Sequence, residues 1–193
     1  MWFFRLVLGV IVTVLAGPAL ADLEPRTETV PLRIMVLDED AQDWITVSNG
    51  GSCAAVSGRV RIDFGASAGS VVIDTEYGGA GTRDPAPVRV VSGPAVVMPV
   101  PDGARSIVIV VSDLPPRGQV IVTLDIDNER GWFEDGRVVA TPRDIAGSTA
   151  EFVAPGLDSD VVRGVFADGR IAVLPVELPC ADSASEPAVV PIA

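Results

Sequence analysis

Apolar residues along this chain come in short runs of β-branched side chains, cut by Gly, Pro, Asp and Asn. That is the punctuation of strands and turns, not of helices. The runs predict strands over residues 30–37, 44–48, 55–64, 71–75, 88–91 and 95–100, then 106–112, 119–126, 136–140, 149–153, 161–166 and 171–176. Within residues 119–127, Val120, Val122, Leu124 and Ile126 fall on one face; Gln119, Ile121, Thr123, Asp125 and Asp127 fall on the other. No segment carries a sustained stripe of period 3.6 with caps, so helix content is expected to be low. Short strands with turn signals roughly every 8–12 residues predict an all-β, antiparallel β-sandwich, jelly-roll or immunoglobulin-like, in one domain over residues 22–180. Asn49-Gly50 marks a hairpin or tight turn, and Leu114-Pro115-Pro116-Arg117-Gly118 launches the long alternating strand after it. Residues 181–193, rich in Pro, Ala and Ser, read as a flexible C-terminal tail.

The first 21 residues stand apart from this pattern. Arg5 precedes an uncharged run, LVLGVIVTVLA, and Pro18-Ala19-Leu20-Ala21 supplies a helix break and small residues before a cleavage point. This is the form of a Sec signal peptide cut after Ala21. The apolar run is short for a span of about 20 residues, so no membrane association is expected once the leader is gone. A secreted or periplasmic protein is the expected product.

Charge and missing residue types narrow the chemistry. The full chain carries −12, and removing residues 1–21 takes away Arg5 and no acid, giving −13. Such a field repels phosphate, which excludes nucleic acid as a partner. There is no His, and all 14 cationic side chains are Arg. Imidazole bases, Ser-His-Asp and Cys-His nucleophiles and lysine chemistry are therefore closed. Gly65-Ala66-Ser67-Ala68-Gly69 has the letters of a nucleophile elbow, but the next segment, SVVID, reads as a strand. It is expected to be a glycine-rich turn.

Cys53 and Cys180 are an even count in an exported chain, and a disulfide between them is the expected state. Asp125, Asp127 and Glu129 would project from one side of a continuing strand, about 6.5–7 Å apart. They are the best candidate for calcium, the only cofactor the sequence suggests. A hard cation takes about 6–8 oxygens, so a second segment such as Asp113 or Glu134-Asp135 would have to join them. Without it, the row is a solvated acidic edge that discourages strand pairing. Asp38, Glu39, Asp40 and Asp43 read as a solvated loop between strands.

The stretches ITVSNGGSCAAVSGRVRIDF, SAGSVVIDTEYGGAG, SDLPPRGQVIVTLDIDNERG and LPVELPC, from Trp44 to Cys180, resemble small secreted alphaproteobacterial proteins labelled "aggregation factor core". The label derives from sponge cell-aggregation factors, so the resemblance implies calcium-dependent, carbohydrate-mediated adhesion without catalytic residues. After Asp125-Ile126-Asp127 this chain has Asn128-Glu129-Arg130 in place of further Asp. The leading expectation is an exported non-enzymatic module in adhesion, aggregation or matrix contacts, its partner a surface glycan or another protein. The alternatives are a periplasmic structural or chaperone-like binding module, and a glycan hydrolase working with carboxylates alone.

Overall fold

In the computed structural model the described residues are 26–37, 42–81, 85–128, 140–156 and 160–180. The first half contributes strands β1 (Thr27–Leu37), β2 (Asp43–Asn49), β3 (Val56–Asp63), β4 (Val71–Ile73), β5 (Arg89–Ser92) and β6 (Ala95–Val97). The second half contributes β7 (Ser106–Leu114), β8 (Gln119–Leu124), β9 (Ile126–Asn128), β10 (Thr149–Val153), β11 (Val162–Val165) and β12 (Ile171–Pro179). The one helix among the described residues, α1 (Pro142–Ile145), is a single turn. The predicted strand at 136–140 lies, but for Ala140, outside the described residues, as do the leader and the tail.

Two five-stranded sheets face each other, in the orders β12-β1-β2-β8-β5 and β11-β10-β3-β7-β6, with a two-stranded ladder β4-β9 beside them. All pairings are antiparallel. The expected all-β sandwich is what the chain forms.

Alternation explains why these segments pair this way. In β1 the inward set is Val30, Leu32, Ile34 and Val36; in β12 it is Ala172, Leu174, Val176 and Leu178. The opposite sheet answers with Val60 and Ile62, Ile107 and Ile109, and Phe152. Each large side chain taken fully out of water contributes about 1.5–3 kcal/mol, and a one-residue slip would turn the whole set to solvent. Gly58, where the β3–β7 register shifts, lies so close to β10 that an added Cβ would sit 2.5 Å from the Val153 carbonyl oxygen.

Both expected turns exist, and neither makes a hairpin. The chain passes from β2 to β3 and from β7 to β8, and each passage crosses from one sheet to the other. Asn49 joins the crossings: its Nδ2 donates to the carbonyls of Ala54 and Leu114, its Oδ1 accepts from Gly51 N–H, and its own N–H donates to Gly118. Residues 65–69 form the expected turn, with Ser67 Oγ accepting from Val71 N–H.

Candidate metal centre

The long alternating strand does not run through its acidic end. β8 stops at Leu124, which pairs with Asp43, the first residue of β2. Past that point β2 has no backbone to offer, and the Asp43 carboxylate takes over, its Oδ2 accepting from Ile126 N–H at 2.6 Å. Released from the large sheet, the chain turns to β4: Ile73 pairs with Ile126, Val72 with Asp127 and Val71 with Asn128. Asp74 N–H continues the ladder to the Asp125 carbonyl at 3.0 Å. Asp43 is only 3% exposed. Its expected place in a solvated loop is therefore corrected: the carboxylate is buried because it substitutes for a missing strand partner. Asp38, Glu39 and Asp40 lie outside the described residues.

This break brings three carboxylates together. Asp74, Asp125 and Asp127 each offer an oxygen within 4.8 Å of the other two. They are 0%, 8% and 2% exposed, which corrects the reading of Asp125 and Asp127 as a solvated edge. Glu129 lies outside the described residues. Asp113 is elsewhere, exposed and bonded to Ser57. Glu134 and Asp135 lie outside the described residues; among the described residues the second segment is the end of β4. Asp74 was missed, although SVVID ends an apolar run in an acid just as VTLDID does.

The loop after β4 closes over the cluster. Asp102 holds it, accepting from Thr75 N–H at 2.9 Å and Ala80 N–H at 2.8 Å; these bonds, that from Thr75 foremost, lower its carboxyl below the ordinary range. Glu76 N–H donates to Asp74 Oδ1 at 3.2 Å. Gly81 approaches so closely that a Cβ there would sit 2.0 Å from Asp127 Oδ2 and 2.8 Å from Asp74 Oδ2. All three acids have bonding partners, and Asp74 Oδ2 and Asp125 Oδ2 are buried oxygens that accept no hydrogen bond from the described residues.

Chemically, the cluster concentrates oxygen donors and negative charge. At an effective dielectric of about 20, two carboxylates about 5 Å apart repel by roughly 3 kcal/mol, so a proton or a cation among them is strongly favoured. Calcium binds oxygens at about 2.3–2.6 Å, so donors to one ion lie no more than about 5 Å apart, and the cluster meets that limit. Asp is a fitting donor for such a hard cation.

The second feature is the Cys53–Cys180 disulfide, which closes a loop of sequence separation 127. It ties the β2–β3 crossing to the end of β12, and Cys180 N–H donates to the Arg26 carbonyl beside it. Glu28 lies against the bond. Its carboxylate accepts from the N–H groups of Ser52, Cys53 and Ala54, which lower its pKa from 4.5 to about 2, with the Cys53 bond the largest cause.

Fold and covalent structure together define a disulfide-linked, antiparallel β-sandwich with a buried acidic cluster at a break in one sheet. No family model, curated protein or solved structure matches the chain. Among the described residues no helix is long and apolar enough to cross a membrane. The disulfide is compatible with an extracellular or periplasmic protein.

Proposed function

We propose that this is an exported, non-enzymatic binding module whose adhesive contacts, with a surface glycan or another protein, depend on calcium held by Asp74, Asp125 and Asp127. The observation that carries the reading is the convergence of three buried carboxylates from the ends of β4 and β8 and from β9. Their mutual repulsion disfavours the empty, fully ionised cluster, and a divalent cation removes it. The ion then fastens the β4–β9 ladder and the loop over it, so the surface formed there becomes calcium-dependent. The leader sequence and the disulfide favour a compartment where calcium is abundant. Lack of His and Lys, and acids buried instead of lining an open groove, favour binding over hydrolysis.

Thermal melting in calcium and in chelator tests this. The mature protein is expected to melt several degrees higher with calcium. Asp125→Asn and Gly81→Ala, the latter pressing a methyl group into the cluster, are expected to lose the difference. Retention of the protein on producing cells should fall on chelation. Coincident wild-type melts would remove the cation and with it the adhesive mechanism.

A further inference from the structure

Glu28, half-buried, falls on the same face of β1 as Val30, and the β2–β3 crossing packs against it. The crossing folds its successive N–H groups around the carboxylate, a nest of the kind that binds anions. That arrangement fixes Glu28 Oε2 at 2.8 Å from Cys53 Sγ. A disulfide sulfur has no proton to give, so this is a charged oxygen held against the bond. Cys53 and Cys180 are both only partly buried.

We infer that Glu28 is an electrostatic guard on the Cys53–Cys180 disulfide, slowing its reduction and making it selective for the charge of the attacking thiol. Reduction starts when an external thiolate attacks one sulfur. A new mixed disulfide forms as the Cys53–Cys180 bond breaks, and the electron pair leaves on the other cysteine as a thiolate. A second equivalent of thiol then resolves the mixed disulfide, leaving a protonated dithiol and the oxidised small molecule. Attack at Cys53 brings the incoming anion onto the Glu28 carboxylate. Attack at Cys180 expels the new anion at Cys53, against the same carboxylate. Both routes build a second negative charge within a few ångströms of the first, which raises each barrier. The carboxylate stays ionised throughout the range where thiolates exist, because its nest of N–H donors favours the charged form.

The test reduces the folded, oxidised protein with two small thiols at equal thiolate concentration, cationic cysteamine and anionic 2-mercaptoethanesulfonate. Alkylation and mass spectrometry follow the loss of the bond. The wild type is expected to react faster with the cationic thiol, and Glu28→Gln to narrow that preference about tenfold. Glu177→Gln serves as the control. It removes the same charge from an exposed site on β12, bonded to Thr29, and should leave the preference near wild type. Glu28→Asp keeps the charge but draws it back, narrows the preference part of the way, and decides the matter if the Gln variant does not fold. If Glu28→Gln and Glu28→Asp speed both thiols equally, the residue merely holds the loop shut and the inference fails. It fails too if Glu177→Gln shifts the preference as far, because overall charge would then be the cause.

Discussion

At the scale of single residues, Glu28 lies against the disulfide, its Oε2 2.8 Å from Cys53 Sγ. Its carboxyl is held at about 2 against an ordinary 4.5 by the N–H groups of Cys53 and Ser52. A depressed acid contributes stability that is complete above its unfolded pKa and is lost as pH falls through the folded one. The stabilisation from Glu28 should therefore be whole above about pH 4.5 and gone near pH 2. Urea midpoints of wild type and Glu28→Gln should differ at pH 6 and converge as pH approaches 2; a gap constant with pH would contradict this. Nothing in Thr27-Glu28-Thr29 signals the role, because its donors lie 24 to 26 residues away. Asp125 and Asp127 were legible as candidates, since paired acids at the end of an apolar strand are rare enough to notice. Their burial was not legible, because it depends on Asp43 and β4.

Strands were the most legible elements. Residues 149–153 were predicted as observed, and the other predicted strands within the described residues overlap the strands seen, because alternation follows directly from one face being buried. The turns were legible as turns but not in their destination. Asn49-Gly50 has a hairpin signature, yet the chain crosses to the other sheet, where Asn49 spends its amide on Ala54 and Leu114. Asn49→Ala would leave those buried carbonyls without that donor, and at about 1–3 kcal/mol per uncompensated group it should cost roughly 2–6 kcal/mol. Chemical denaturation measures this directly, and a loss below about 0.5 kcal/mol would show that the crossings hold without it.

For the molecule as a whole, the disulfide joins the β2–β3 crossing to the end of β12. Closing a loop of sequence separation 127 should stabilise by about 4–5 kcal/mol on the loop-entropy model. The Cys53→Ser, Cys180→Ser double variant should lower the urea midpoint accordingly; an unchanged midpoint would place the stability in the sheets alone. The sequence by itself determined the fold class, the strands and the exclusion of histidine and lysine chemistry, and it named the cysteine pair. These depend on local period, on composition and on an even count of cysteines, which a linear chain displays. Tertiary structure alone decided that β8 breaks at Asp125, that Asp74 joins Asp125 and Asp127, and that Glu28 lies on the disulfide. Each of these depends on which strand runs out of partner first, and that is settled only when both sheets are assembled.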